Sequence, residues 1–200
     1  MPLVLALFLI CPAGMAQTQM LEIQTGLEIA PPLITDYGGG LLVDVLRSLE
    51  APLGVRFKIR IMPFSRAKHE LQSGGLQFIG VTSYRAEGAD FYNKANELDW
   101  SINAAVDMYT LAERNLDIAQ LRHAGVIGTP YGNEDAMARM ANIHKSRFYA
   151  GHLKNLIEML KARRIDGLIF ERASTMSTIN KLEIEGIRYQ KLVDVPGSMA

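Results

Sequence analysis

Hydrophobic and polar positions in the first half of the chain switch between the spacing of strands and that of helices. Residues 21–25 predict a first strand, and residues 55–61 alternate apolar with basic side chains, the period of a half-buried strand. Residues 41–49 and 65–72 repeat apolar positions at helical spacing, and residues 76–81 predict a third strand. The order β-α-β-α-β is typical of a sheet with helices packed on it.

The second half repeats this pattern with different lengths. Residues 104–111 and 126–128 predict strands, a helix over 134–143 follows Asn133 as its N-cap, and residues 189–195 predict a last strand. Two β-α-β units of similar size, divided near residues 100–106, predict two α/β lobes with a cleft between them.

Residues 153–176 contain the clearest site candidate. Apolar residues at 153, 156, 157 and 160 predict one helix face, and residues 165–170 predict a buried strand that ends at Glu171. Residues at the carboxyl ends of parallel strands point into the crevice where ligands bind, which makes Glu171 a candidate. Alternatively, Glu171 only opens the next helix, where an acid is also favoured. The sequence leaves both interpretations open.

Composition bounds the class of protein. The 200 residues are 48% hydrophobic and carry a formal net charge of zero, so nothing suggests a nucleic-acid partner. Residues 2–15 carry no charge, and small residues precede Gln17, which predicts a signal peptide over residues 1–16 cleaved after Ala16. Cys11 lies inside that segment, so the expected mature chain has no thiol for a disulfide, a nucleophile or a metal ligand.

Motifs for established catalytic chemistries are missing from the sequence. It has no G-x-S-x-G, no phosphate loop with its Gly-Lys-Ser/Thr end, and no metal-ligand spacing among its four histidines. The glycines at 38–40 favour a plain turn over an anion cradle, because no lysine follows them. We therefore expect no cofactor and no metal.

Short motifs in a fixed order resemble one known family. They are Pro-Pro at 31–32 with Gly-Gly at 39–40, P-F-S-R-A at 63–67 with L-Q-S-G at 71–74, T-S-Y-R at 82–85, I-G at 127–128 with G-N-E at 132–134, and the segment 156–171. In this order they resemble the extracytoplasmic solute-binding proteins of family 3, whose best-known members bind amino acids for ABC importers. The resemblance implies an α/β, two-lobed, type II periplasmic-binding-protein-like fold with a central cleft. It implies lobe 1 over residues 17–100 and lobe 2 over 101–200.

The resemblance also implies roles for four residues. Arg85 and Thr82 match a T-P-E-R motif whose arginine grips a ligand carboxylate, as a bidentate guanidinium can. Asn133 matches a residue that bonds the same carboxylate, and Glu171 matches the acid that receives the ligand amino group.

The sequence departs from the family pattern at several points. Ala30 and Leu33 replace stacking aromatics, and Gln77 replaces an aspartate. The chain ends where the family continues with a strand and a helix that return to the first lobe. The sequence leaves two explanations open: a truncated copy, or a first lobe that closes differently.

Three functions follow, in order of preference. The first is a monomeric periplasmic protein that delivers a small polar solute, an amino acid or related carboxylate, to the membrane permease of an ABC importer. The second is an enzyme similar to cyclohexadienyl dehydratase, with Glu171 transferring a proton if burial raises its pKa. The third is a ligand-binding component of a sensor.

Overall fold

The structure is a computed structural model that describes residues 20–123 and 125–200. The strands are β1 (Leu21–Leu27), β2 (Val55–Ile61), β3 (Phe78–Ser83), β4 (Ile102–Leu111), β5 (Ile127–Pro130), β6 (Phe148–Gly151), β7 (Gly167–Glu171) and β8 (Ile187–Met199). The helices are α1 (Leu41–Leu53), α2 (Phe64–Gln72), α3 (Ala89–Tyr92), α4 (Ile118–His123), α5 (Glu134–Ala141), α6 (Leu153–Lys161) and α7 (Arg172–Lys181).

The described strands form a sheet in the order β2-β1-β3-β8-β4-β7-β5-β6. At one end β1 lies parallel to β2 and β3, and at the other β5 lies parallel to β6 and β7. The long strands β4 and β8 run antiparallel to each other between these two groups. The predicted α/β architecture with two β-α-β lobes is therefore present, and β4 and β8 connect the lobes.

The end of β8 differs from its prediction. The predicted strand stopped at residue 195 and no strand was expected to return to the first lobe. In the structure β8 continues to Met199 and pairs antiparallel with β3, with Gly80 opposite Met199 and Ser83 opposite Gly197. Met199 and Ala200 are buried among the apolar residues of the first lobe. A returning strand is thus present, because the free edge of β3 pairs with it.

Each lobe has its own buried apolar core. In the first lobe, α1 buries Leu42, Val43 and Leu46, whereas Val45 and Leu49, predicted for the same face, are exposed. The buried face is therefore rotated towards Val43, and the helix packs against β2. In the second lobe, α6 buries the predicted positions 156, 157 and 160.

Within residues 20–123 and 125–200, no helix has both the length and the apolar character needed to cross a membrane. The signal peptide predicted for residues 1–16 lies outside the described residues and stays a prediction.

Candidate functional site

A cavity of about 200 Å³ lies between the two lobes. Its polar wall comes from the carboxyl ends of strands in both lobes, where a sheet of this type holds its ligands. Glu28 follows β1, Thr82 lies near the end of β3, Asn133 precedes α5, and Glu171 ends β7. The rest of the lining is mainly apolar and includes Leu33, Val81, Ile102, Val106, Met137, Phe170 and Val195.

Glu28 is the cavity residue that the sequence analysis missed. Asn133 Nδ2 donates a hydrogen bond to its carboxylate at 3.3 Å. Burial raises the pKa of Glu28 to about 7, although hydrogen bonds from Asn133 and the Phe64 amide, and the charge of Lys68, act in the opposite direction. The negative charge of Glu134 adds to the increase. Glu28 is therefore a carboxyl group that changes charge near neutral pH.

A signal for Glu28 was present in the sequence. The predicted first strand ended at residue 25, but β1 continues to Leu27, so Glu28 comes directly after the strand. The rule that selected Glu171, an acid after a buried strand, would have selected Glu28 had the strand end been placed correctly.

Thr82 is 3% exposed. Its Oγ1 has no hydrogen-bond partner among the described residues. A buried hydroxyl without a partner is unfavourable, and such groups in folded proteins usually have a reason. Thr82 also belongs to the cavity lining, and its binding role stays a prediction.

Glu171 combines the two interpretations left open by the sequence. It lines the cavity. Its carboxylate also caps α7, accepting from the amide of Ala173 at 2.5 Å and from that of Ser174 at 2.8 Å. The structure therefore shows a helix-opening acid that also faces the cleft. Its role towards a solute amino group stays a prediction.

The lobes touch beside Glu28. The carbonyl of Gly132, in the second lobe, accepts from Lys68 Nζ of α2 at 2.7 Å. A Cβ added to Gly132 would lie 2.5 Å from the backbone nitrogen of Ser65, and the φ of Gly132 is +87°. Together with the contact between Asn133 and Glu28, these approaches show that the lobes are closed on each other.

Arg85 lies away from the cavity. Its side chain is exposed, its guanidinium lies 5.0 Å from the ring centre of Tyr84, and it is absent from the cavity lining. Its backbone amide donates to Glu97 at 2.8 Å, and its φ of 55° turns the chain at this point. The structure therefore brings together Thr82, Asn133 and Glu171 but not Arg85. The binding role predicted for Arg85 stays a prediction.

A larger cavity of about 780 Å³ lies next to the first. The two share Glu28 and Pro32. An ion pair between Asp36 of the first lobe and Lys181 of α7 joins its walls at 3.6 Å. None of the four predicted site residues lines it. We therefore take the smaller cavity as the candidate site and the larger one as the open part of the same cleft.

An ion pair between a buried acid and a partly exposed arginine holds the start of α7 against β4. Asp107 is fully buried, and the Arg172 guanidinium donates to both of its oxygens, at 2.6 and 2.8 Å. The hydroxyl of Tyr109 donates to the same carboxylate at 3.3 Å, and the guanidinium lies 4.8 Å from the ring centre of Tyr189. Arg172 directly follows Glu171 in the chain. The ion pair therefore holds the backbone next to Glu171 against β4.

Within residues 20–123 and 125–200, no group of three His, Cys, Asp or Glu side chains is arranged to hold a metal ion.

Solved structures share this arrangement of two lobes, although no protein-family model matches the chain and no curated protein matches its sequence. The arginine-bound form of truncated ArgBP from T. maritima is 15% identical with a TM-score of 0.72, over 91% of this chain and 88% of that one. An ABC uptake transporter substrate-binding protein from Streptococcus pneumoniae with bound histidine is 14% identical with a TM-score of 0.72, over 89% and 78%.

A third similar structure belongs to a signalling protein. It is a histidine kinase sensor domain with similarity to periplasmic binding proteins, 14% identical with a TM-score of 0.73, over 92% of this chain and 83% of that one. Identities this low establish the fold alone. The fold predicted from the order of motifs is thereby confirmed: the chain has the two-lobed α/β fold of the periplasmic binding proteins.

Proposed function

We propose that this chain is a periplasmic solute-binding protein whose lobes close on a small solute that carries an amino group, and that it delivers this solute to a membrane importer. The observation that carries the proposal is the cavity of about 200 Å³ between the lobes, with carboxylates from both lobes and Thr82, whose buried hydroxyl has no partner among the described residues, in its lining. Carboxylates and a hydroxyl all accept hydrogen bonds from an ammonium group.

The structural neighbours support this class of solute. Two of them hold arginine or histidine, both of which carry an α-amino group. A cavity of this volume suits a molecule of amino-acid size.

A thermal-shift screen of amino acids and small amines, followed by calorimetry on each hit, tests the proposal. A hit should lose most of its affinity in Glu28→Gln, while Glu183→Gln, a change of the same kind at an exposed residue, should leave the affinity unchanged. Failure of every compound to bind would contradict solute binding. Uptake of a radiolabelled hit, compared between cells with and without this protein, then tests the importer.

A sensor is a second candidate function, because one of the similar structures is a histidine kinase sensor domain. In that case a bound hit would change the output of a partner kinase, and deletion of the protein would leave uptake of the hit unaltered. Those two measurements separate the candidates.

One observation supports an enzyme as a further candidate function. Glu28 has a pKa of about 7, which suits a general acid or base at neutral pH. Glu171, the acid expected to transfer a proton, has both oxygens bonded to backbone amides. Chemical conversion of a hit, with Glu28→Gln lowering the rate far more than the affinity, would identify an enzyme. Unchanged recovery of the hit after prolonged incubation would favour binding.

A further inference from the structure

The charges around the cavity restrict the solute more narrowly than the fold does. Two carboxylates, Glu28 and Glu171, face the cavity from opposite lobes. Among the described residues that line it, none is a lysine, arginine or histidine; His152, Lys154 and Lys181 line the larger cavity beside it. The predicted carboxylate partner, Arg85, lies outside the lining.

Lys68, whose charge acts on Glu28, is already engaged. Lys68 Nζ donates to the Gly132 carbonyl at 2.7 Å and to Glu87 at 3.2 Å. The charge of Lys68 lowers the pKa of Glu28, but burial raises this pKa by more. The positive charge near Glu28 is therefore too small to stabilise its ionised form fully.

Helix N-termini, which could otherwise attract a solute carboxylate, already have negative partners here. Glu171 caps α7 with both oxygens. In α5, which begins after the cavity residue Asn133, the first turn carries Glu134 and Asp135. Acids in these positions offset the positive end of the helix dipole and disfavour a further anion.

We propose that the solute is a small organic cation: an amine with an apolar body and no carboxylate. This rests on the solute-binding function proposed above and names the class of solute for the same cavity. The ammonium group lies beside Glu28 and donates to Thr82 Oγ1, whose hydroxyl is buried without a partner among the described residues. The apolar body packs against the branched, Met and Phe side chains of the lining.

Binding then moves a proton. A bound ammonium favours the ionised form of Glu28, so the fraction of Glu28 that is protonated near pH 7 releases its proton to solvent as the cation enters. The charged groups near this carboxyl are Lys68 on α2 and Glu134 on α5, and its hydrogen-bond donors are the Asn133 side chain and the Phe64 amide. Affinity for the cation therefore rises between pH 5.5 and 8.

Matched pairs of compounds that differ only in the carboxylate provide the test: isobutylamine with valine, isopentylamine with leucine, histamine with histidine, and agmatine with arginine. Titration calorimetry on the full mature chain should show at least one amine binding at least about tenfold more tightly than its amino acid, since like charges brought together in a binding site are strongly disfavoured. Repeating the titration in buffers with different ionisation enthalpies should show proton release on binding.

Variants identify the groups involved. Glu28→Gln should weaken amine binding by about 30-fold or more, since it removes one partner of a desolvated charge pair. Thr82→Val should weaken binding while keeping or raising the melting temperature of the free protein, because it removes a buried hydroxyl that has no partner. A role of Thr82 in the fold alone would lower the melting temperature and leave affinity unchanged.

The outcomes separate this inference from the function on which it rests. If an amino acid binds as tightly as its amine or more tightly, the inference is overturned and solute binding stands. If no compound of either kind binds, both are overturned. Amine binding that is unaffected by Glu28→Gln and Thr82→Val would place the solute elsewhere and also overturn the inference.

Discussion

Replacing Glu28 with glutamine should change how the stability of the free protein depends on pH. Burial raises the pKa of this carboxyl from 4.5 to about 7, so the folded protein binds a proton at Glu28 more tightly than the unfolded chain does. Between these two values the folded state holds more protons, and the free energy of unfolding falls as pH rises. Below about pH 4.5 both states are protonated at Glu28 and the loss is absent.

The magnitude follows from the size of the shift. A pKa that rises from 4.5 to about 7, at about 1.4 kcal/mol for each tenfold change in proton affinity, corresponds to a loss of about 3.5 kcal/mol once the pH is above 7. This figure is a ceiling, because opening of the lobes would return water to the carboxylate. Glutamine cannot ionise, so Glu28→Gln should lack this loss and gain stability relative to the unmodified protein as pH rises from 5 to 8.

Urea denaturation of both proteins at pH 5, 6, 7 and 8, without ligand, provides the measurement. The difference in unfolding free energy between variant and unmodified protein isolates Glu28, since all other titrating groups are common to both. Glu183→Gln, the same change at an exposed residue away from the cavity, serves as the matched control. A constant difference for Glu28→Gln as well would refute the reasoning.

Three further changes probe contacts around the cleft. Gly132→Ala should push the lobes apart and weaken solute binding more than tenfold, because its Cβ would meet backbone of the opposite lobe. Gly74 has a similar positive φ with open space around it, so Gly74→Ala shows the effect of backbone strain alone. Arg172→Ala should lower the urea-derived unfolding free energy by about 3–5 kcal/mol, since it leaves Asp107 buried and unpaired; a loss below 1 kcal/mol, as exposed pairs give, would contradict this. Glu171→Ala should lower it by about 1 kcal/mol through loss of the α7 cap, and an unchanged value would show that the cap is weak.

Local patterning predicted most of the regular elements. Alternating residues in β2 and helical spacing in α6 appear in the structure where the sequence placed them, because burial of one face selects the period of each element. The short elements α3, α4 and β6 were not predicted. A helix of six residues and a strand of four contain too few positions for a period to show, and only packing against their neighbours stabilises them.

The candidate site was only partly accessible to sequence reasoning. Glu171 could be selected because strand ends follow from local pattern, whereas Thr82 and Asn133 were selected through the resemblance to a known family. Glu28 was missed through an error of two residues in the end of β1, the kind of boundary that tertiary pairing sets: Leu27 lies opposite both Ile61 of β2 and Gly80 of β3.

The amino-acid sequence by itself thus determined the order of strands and helices, the division into two β-α-β units and the strand-end residues that could bind. Those features depend on neighbours a few positions apart, whose side chains share one face of one element. Tertiary structure alone decided that β8 returns to β3, that Glu28 meets Asn133 across the cleft and that Arg85 lies outside it. These outcomes depend on how the lobes close and how buried charges find partners. Both depend on desolvation and packing between residues that are far apart in the sequence, which a local pattern cannot show.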